Sequence, residues 1–399
     1  MRVTLSKFIT GSSSFVRDRS TILAYCALAT FTYLLYGFGP LLSFLREELH
    51  FSYTLISLHT SLWSAGALVA GLAFDRTSRR VGRRRLFWLS AAGVVVGAVL
   101  LMVAYTVWLT LLCAALLGSV GTTLMIGTSV ILADRHGERR DRALVEANIG
   151  ASMTAVVVPA ILGFLHGTPA GWRMSMLVPV IAMGVIFVLF RRTALPMTPS
   201  QANGSSLPEH RLPAVYWLFA LLAGVSVGIE FCVIYYGAEL LRAATGLSTA
   251  RAAAAMSLFL VGALAGRVLG SGLTRRPGRA LALMFAALCL TMVGFVAFWL
   301  VSDTPLRLTG LFVAGLGVAN LYPLTLAMAI AAAPGHTDRA TARVQVLGGF
   351  VAAVAPFALG SLADHVGIQY AYVVEPVLIA IALVLLATGH TRVRSNRAV

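Results

Sequence analysis

Twelve runs of apolar residues, each long enough to cross a bilayer, most constrain what this chain can fold into. A membrane-spanning helix needs about 20 apolar residues, and only 12% of the 399 residues are charged, against about 25% in soluble domains. The runs do not alternate as barrel strands do. The sequence therefore predicts an all-α membrane protein with twelve transmembrane helices. They lie at 21–45, 52–74, 86–104, 107–133, 143–166, 172–190, 213–240, 250–274, 280–301, 305–331, 342–364 and 371–388.

The basic residues predict how this bundle is oriented. If both termini are cytoplasmic, 25 of the 31 Lys and Arg residues fall in inside segments and five in outside loops, and Arg267 lies within a span. Cytoplasmic loops carry an excess of Lys and Arg, so we expect both termini inside. The net charge of +16 is then explained by orientation and anionic headgroups. The bilayer is the expected partner, and nucleic acid is not.

The two halves of the chain resemble each other. Three short motifs recur about half a chain length later, two of them at an offset of 196 positions and one at 197. Three matches at nearly one offset favour duplication over chance. A segment rich in Pro, Gly and Ser separates the halves and is typical of a solvated linker. The motif pairs are Gly66–Leu68 with Gly262–Leu264, Arg79–Arg83 with Arg275–Arg279, and Val157–Leu165 with Val354–Leu362.

Duplication and linker together predict two pseudo-symmetric six-helix bundles. We expect a cytoplasmic N-terminal segment at 1–20, bundles at 21–190 and 213–388, a central cytoplasmic linker at 191–212 and a cytoplasmic tail at 389–399. Two parallel halves with a site between them are typical of transporters.

An arginine-dense loop with one acid, Gly71–Arg85, follows the second span. A carboxylate at Asp75 can meet a helix N-terminus, a contact that stabilises by about 0.3–1 kcal/mol, and we expect that terminus near Arg343. Asp134 is the expected partner of Arg79 or Arg76. Such pairs form only while the cytoplasmic side is closed, so Asp75, Arg76, Arg79, Gly82 and Asp134 are predicted to form a conformational gate. The alternative is that these charges only anchor the loop, which is how we interpret Arg83–Arg85.

The segment Gly71-Leu-Ala-Phe-Asp75-Arg76, followed by Gly82-Arg83-Arg84, resembles the signature loop between helices 2 and 3 of the major facilitator superfamily. Ser78 stands where that signature has a glycine. Gly228-Ile-Glu230, Gly266-Arg267 through Gly270-Ser271, and Asn320-Leu-Tyr-Pro323 resemble the fucose-permease-like branch. The resemblance implies a secondary transporter that works by alternating access. It also implies that helices 1, 4, 7 and 10 line a central cavity, and that the loop stabilises the outward-facing state.

This sequence lacks residues that couple transport to protons in two groups of that family. Ala114 stands where drug exporters carry an arginine four residues before a glycine, here Gly118. Many proton symporters have an acid in helix 1, and this sequence has none between Thr21 and Leu45.

Glu230 is the most informative residue within the predicted spans. It lies ten residues before the predicted outer end of helix 7, about 15 Å deep. A charge at that depth costs about 2.5–3.5 kcal/mol, so we interpret Glu230, with Tyr235, as a proton or substrate site. A structural, hydrogen-bonded acid is the alternative. The predicted cavity-lining residues are Tyr36, His59, Thr123, Asn320 and Tyr322.

Three further polar residues have simpler interpretations. On the predicted spans, Arg267 lies about 10 Å closer to the cytoplasmic face than Glu230 does. We therefore expect its side chain to snorkel to that face. Glu146 is expected to stabilise the first turn of helix 5. His59 is more often a hydrogen-bonded structural residue than a proton relay.

These features predict a monomeric secondary transporter of a small organic solute in the cell membrane, coupled to protons, with no cofactor or metal. A proton-independent uniporter is the alternative within that class. A membrane enzyme is disfavoured because the spans hold no HExxH motif, paired acids or His cluster. A receptor is disfavoured because no soluble output domain is present. The sequence does not distinguish uptake from export.

Overall fold

A computed structural model describes residues 15–195, 212–273, 280–333 and 337–397, without the side chains of 138, 141, 271–273, 337–339 and 394–397. Most of the predicted linker at 191–212 and the arginines of the second repeat, Arg275–Arg279, lie outside the described residues. The side chain of Ser271, which stands where Asp75 does in the first repeat, lies outside them too.

The described chain is helical, and twelve segments are long and apolar enough to cross a membrane. The predicted number of spans is therefore confirmed. The tenth span is built from α10 and α11, and the twelfth from α13 and α14. The helices are α1 Arg19–Leu49, α2 Tyr53–Val81, α3 Arg83–Met102, α4 Val107–His136, α5 Arg140–His166, α6 Leu177–Phe190, α7 Ala214–Thr245, α8 Thr249–Leu273, α9 Ala280–Leu300, α10 Thr304–Val318, α11 Leu321–Ala331, α12 Thr337–Val366, α13 Ile368–Ala371 and α14 Val374–Arg397.

The arginine-dense segment is more helical than we predicted. Helix α2 runs on to Val81 and α3 begins at Arg83, so Gly82 alone separates them. Gly82 has a φ of 87°, a left-handed conformation that glycine adopts without steric cost. The reason for the difference is that arginine is a good helix former, so these helices continue as polar ends beyond the apolar spans.

Large apolar side chains cover the outside of the bundle. Leu72 is 71% exposed, Phe164 73% and Trp108 83%. A soluble monomer rarely leaves a wide apolar surface in water, whereas lipid tails solvate these side chains. The chain is therefore a multi-pass membrane protein.

Helices α1–α6 pack on one another, helices α7–α14 do the same, and the halves meet along α1 with α7, α2 with α12 and α5 with α8. Small residues allow these close approaches. A Cβ at Gly39 would overlap the carbonyl oxygen of Ile234 in α7, and one at Gly163 would crowd Ala250 in α8. Helix α1 continues through Pro40. We call the side of the bundle that carries Arg19 and Arg397 the terminal face, and the opposite side the distal face.

Candidate functional site

Four polar side chains meet between the halves, midway along the spans, and we call them the central site. Nη2 of Arg267 in α8 lies 3.8 Å from Oε1 of Glu230 in α7. The hydroxyl of Tyr36 in α1 donates to the same Glu230 oxygen at 3.4 Å. Nη1 of Arg267 donates to Oγ of Ser152 in α5 at 2.9 Å. The two charged residues of the site, Glu230 and Arg267, both belong to the C-terminal half, and each contacts a hydroxyl of the N-terminal half.

The pairing of Arg267 with Glu230 contradicts the expectation that Arg267 reaches the cytoplasmic face. Helix α7 extends to Thr245, five residues beyond the predicted end. Glu230 thus lies 15 residues from the distal end of α7, and Arg267 lies 18 residues from that of α8. At 1.5 Å per residue the depths differ by about 5 Å, a gap that the long arginine side chain spans.

The two charges of the central site differ in exposure. The Glu230 side chain is 15% exposed and that of Arg267 is 38% exposed. Burying a single charge is costly, and a nearby opposite charge offsets part of that cost. The site is neutral overall while Glu230 is ionised, and its more open member is the cation.

Three other predicted site residues, Tyr235, Asn320 and Tyr322, differ in their surroundings. Tyr235 is buried among the rings of Phe231 and Phe38, with centroids 5.3 and 6.4 Å away. Asn320 lies at the break between α10 and α11 and donates to the carbonyl oxygen of Gly266 at 2.7 Å. The hydroxyl of Tyr322 is buried and has no hydrogen-bond partner among the described residues.

Two predicted cavity-lining residues lie inside the N-terminal half instead. The ring of His59 is fully buried, with Nδ1 2.6 Å from the Leu55 carbonyl oxygen and Nε2 2.8 Å from the Thr110 hydroxyl. Thr123 donates to the Ser119 carbonyl oxygen at 2.8 Å and lines a small cavity beside Phe74 and Arg83. Helical periodicity alone did not separate the face of α4 that packs on α2 and α3 from the face that was predicted to line the central cavity.

The predicted gate residues are not joined across the halves in this conformation. Asp75 is exposed and makes no hydrogen bond or ion pair with any described residue. Arg76, Arg79 and Gly82 are also exposed. Asp134 pairs with Arg83 rather than with Arg76 or Arg79.

The interpretation of Arg83–Arg85 as plain anchors is therefore wrong for two of the three residues. Arg83 holds Asp134, and Arg84 donates to the Arg191 carbonyl oxygen at 2.6 Å. Because α3 begins at Arg83, this side chain lies beside the end of α4, whereas Arg84 and Arg85 remain exposed.

Polar contacts across the halves are dense toward the distal face. Arg46 of α1 and Glu239 of α7 form an ion pair of 3.1 Å. The carboxylate of Asp364 in α12 accepts from the backbone N–H groups of Tyr53 and Thr54, both at 2.8 Å. The hydroxyls of Ser57 and Tyr236 lie 2.5 Å apart. None of these contacts was predicted from the sequence, because each joins helices of different halves.

Glu375 is another acid within the predicted spans that was not predicted as a site residue. It lies in the first turn of α14, is fully buried, and neither carboxyl oxygen has a hydrogen-bond partner among the described residues. It lies near Cys232 of α7 and Tyr372. Its position inside a predicted span could have identified Glu375 as a candidate site residue from the sequence.

Glu146 also differs from its expected role. It accepts from Nε of Arg17 at 2.8 Å and from Nε of Arg142 at 3.1 Å. It also accepts from the Tyr25 hydroxyl at 3.2 Å. Glu146 lies six residues into α5, so it holds the N-terminal segment against that helix instead of capping it.

The profile of the Major Facilitator Superfamily matches residues 22–311 and 218–398. The cyanate transport protein CynX of Escherichia coli (strain K12) is 26% identical over 340 residues, which cover 82% of this chain and 86% of that protein. An inward-facing, occupied structure of a bacterial homologue of the human lysosomal transporter Spinster is 14% identical, with a TM-score of 0.79. It aligns with 94% of this chain and 96% of its own.

The nucleoside transporter NupG, also 14% identical, gives a TM-score of 0.70 over 94% of this chain and 98% of its own. These structures show the fold.

Proposed function

Because the chain belongs to the major facilitator superfamily, we propose that it carries a small organic solute across the cell membrane by alternating access, driven by protons that bind Glu230. The observation that carries this proposal is the Glu230–Arg267 pair, which lies midway along the spans at the boundary between the halves. Intramembrane charges are rare and mark substrate and ion pathways.

Protonation of Glu230 is linked to the position of the halves through its contacts. Glu230 accepts from Tyr36 of the N-terminal half, and its partner Arg267 donates to Ser152 of that same half. A proton on Glu230 removes the charge that balances Arg267 and weakens the pair. A proton that binds two conformations with different affinities shifts the balance between them.

Conformation and relatives support the rest of the proposal. We take the terminal face as cytoplasmic, because Lys and Arg concentrate there. The cross-half contacts of Arg46, Asp364 and Ser57 then close the external side. Relatives named for cyanate and nucleoside transport favour a small solute. We propose that the protein acts as a monomer.

Uptake into proteoliposomes, with and without a pH gradient, tests the proposal once a thermal-shift screen has found a ligand. We expect the wild type to accumulate solute only with the gradient. Glu230→Gln should retain solute exchange at equal pH but lose the gradient-driven accumulation. Glu47→Gln is the matched control, since Glu47 is an acid of the distal face that is 48% exposed.

Two outcomes would contradict the proposal. Equal gradient dependence in the wild type and in Glu230→Gln would remove the role of Glu230. Uptake by the wild type that ignores the gradient would favour the uniporter.

A further inference from the structure

The central site contains one charge that is permanent and one that is not. An arginine stays protonated in proteins at any physiological pH, whereas a glutamate can bind a proton. The site is therefore neutral when Glu230 is ionised and carries one positive charge when Glu230 is protonated. A half-buried guanidinium without a balancing charge is costly, so the protonated site favours an incoming anion.

We infer that the central site binds a small organic monoanion, such as a carboxylate, on Arg267, and that this anion replaces Glu230 as Glu230 takes up a proton. The inference rests on the proposed function and names its substrate class. One proton and one anion bind together, so the charge of the occupied site equals that of the empty one. No covalent bond forms or breaks.

The geometry of the pair favours this exchange. The N···O distance of 3.8 Å between Arg267 and Glu230 is longer than the 2.7–2.9 Å of a charge-assisted hydrogen bond. Arg267 spends one N–H group on Ser152, out of five on a guanidinium. The cation thus keeps donors for a ligand, and its planar fork matches the two oxygens of a carboxylate.

Exposure decides which member of the pair a solute meets. The Arg267 side chain is 38% exposed and Glu230 only 15%. A cationic solute is repelled by the guanidinium beside Glu230, whereas an anion is attracted to the more exposed member of the pair.

The groups around Glu230 do not supply a second balancing acid. Glu230 is faced by Tyr36 from α1 and Arg267 from α8, and Tyr235 follows on α7 itself. From α12 and α14, apolar side chains pack on α7 at Gly228, namely Val351, Ala355 and Leu378. Tyr322 is the titratable residue of α11, which packs on α7. Protonation of Glu230 therefore leaves the charge of Arg267 to the ligand.

Neutral hydroxyls lie beside the charged pair. Tyr36 donates to Glu230 at 3.4 Å and Ser152 accepts from Arg267 at 2.9 Å, and the Tyr36 hydroxyl can turn from the Glu230 carboxyl to an anion bound on Arg267. Hydroxyl groups of this kind donate to a carboxylate as readily as they accept from a donor. The set suits an anion better than a sugar, which would leave the Arg267 charge uncompensated.

Calorimetry on the full-length protein in detergent tests the inference. The probes are formate, acetate, lactate and cyanate as monoanions, glucose and uridine as neutral solutes, and choline as a cation. Titrations in two buffers of different ionisation enthalpy report how many protons bind with each ligand. Sodium sulfate keeps the ionic strength constant.

For the wild type we expect saturable binding of at least one monoanion, with about one proton taken up per anion. The affinity for this anion should fall about tenfold for each unit by which the pH rises, over the pH range in which Glu230 is ionised. Glu230→Gln should bind the same anion about tenfold or more tightly near pH 8, without proton uptake and without pH dependence. Binding by the wild type with no proton uptake would overturn the exchange.

Arg267→Gln should lose anion binding by at least about a hundredfold. That variant leaves Glu230 unpaired, so the double variant Glu230→Gln with Arg267→Gln removes both charges and should lose binding to the same degree. Arg251→Gln is the control, an exposed arginine in the first turn of the same helix, and should bind like the wild type.

The outcomes separate this inference from the proposed function. Binding of glucose, uridine or choline in place of every monoanion would overturn the inference, while gradient-driven uptake of that solute would leave the proposed function intact. Anion binding with proton uptake, but no transport in proteoliposomes, would support the inference and contradict the proposed function.

Discussion

Arg46 of α1 and Glu239 of α7 form an ion pair of 3.1 Å that joins the two halves toward the distal face. The Glu239 side chain is 1% exposed and Arg46 is 22% exposed. The guanidinium of Arg46 also lies 3.9 Å from the centroid of the Tyr53 ring in α2. If the halves separate on this side during transport, these contacts are lost together.

The first prediction is that Glu239→Gln opens the distal side. Truncating one partner of a buried charge pair across an interface costs on the order of 2–5 kcal/mol. Glu239 also pairs with Arg242 of its own helix at 3.4 Å, a contact that does not join the halves, so the loss of the Arg46 pair is what weakens the distal-closed state. Spin labels at positions 47 and 251, one in each half, should give a longer mean distance in the variant, measured by pulsed electron paramagnetic resonance.

Glu48→Gln is the control for this measurement. Glu48 pairs with Arg173 at 2.8 Å, on the same face but within the N-terminal half. Its loss should leave the distance between the labels unchanged. An unchanged distance in Glu239→Gln would mean that the Arg46 pair does not hold the halves together.

The second prediction concerns Asp364, which caps α2 from the other half. Its carboxylate accepts from the backbone N–H groups of Tyr53 and Thr54 at 2.8 Å each, groups that have no partner within their own helix. Loss of a cap costs about 0.5–2 kcal/mol. Asp364→Ala should raise amide hydrogen exchange in a peptide covering residues 50–60.

The control is Asp303→Ala, which removes the cap that α10 receives within its own half through the 2.9 Å contact of Leu306 N–H with Oδ1 of Asp303. It should raise exchange in a peptide covering the start of α10 without lengthening the distance between labels at positions 47 and 251. If Asp364→Ala raises exchange but does not lengthen that distance, the contact supports α2 alone.

The sequence predicted the twelve spans because apolar length is a local property of the chain. It identified Glu230 for a similar reason, since a charge within a span is costly wherever it points. It did not predict the pairing with Arg267, because helix α7 ends at Thr245 and not at residue 240. A shift of five residues at a helix end changes the depth of Glu230 by about 7 Å.

The contacts between the two halves could not be predicted from the sequence for another reason. That Asp364 caps α2, more than 300 positions earlier in the chain, depends on how two helices of different halves align. No periodicity within either helix specifies that alignment. The same applies to Thr123, whose position on α4 was correct for a span but whose side chain lies at a cavity within the N-terminal half.

The third prediction concerns the buried acid Glu375. A polar group buried without a hydrogen bond costs about 1–3 kcal/mol in mutational data, and the contact of an acid with the first turn of a helix returns only about 0.3–1 kcal/mol. Glu375→Met has a similar volume and should raise the apparent melting temperature by a few degrees. Glu375→Gln remains polar and should raise it less.

Differential scanning fluorimetry checks both variants, and proton-driven uptake is measured alongside. A lower melting temperature of Glu375→Met would mean that the carboxyl is satisfied by groups outside the described residues. Loss of gradient-driven uptake in Glu375→Gln would give this acid a part in coupling.

The fourth prediction concerns Asp18, the N-cap of α1. Burial raises the pKa of its carboxyl, but hydrogen bonds from Thr21 and Ser20 and the charge of Arg135 outweigh it and lower the pKa to about 2. A lowered pKa stabilises the fold above the ordinary value of 3.8, and this stabilisation is lost as the pH falls toward about 2.

Asp18→Ala should therefore lower the free energy of unfolding by about 1 kcal/mol. This loss should be constant from about pH 5 to about pH 8. Thermal unfolding of the variant and the wild type across that range measures the difference. A difference that shrinks between about pH 8 and about pH 5 would contradict the low pKa of Asp18.

The last prediction compares two acids of the terminal face, Asp75 and Asp134. In this conformation Asp75 is exposed and makes no ion pair with a described residue, whereas Asp134 pairs with Arg83 inside the N-terminal half. If Asp75 contacts the other half only when the terminal face closes, Asp75→Asn leaves this conformation unchanged and destabilises the conformation in which the terminal face is closed.

The label distance between positions 47 and 251 should then shift toward its shorter value, with no change in melting temperature. Asp134→Asn should do the reverse, lowering the melting temperature and leaving the distance unchanged. If Asp75→Asn leaves the distance distribution at its wild-type values, Asp75 does not act as a gate.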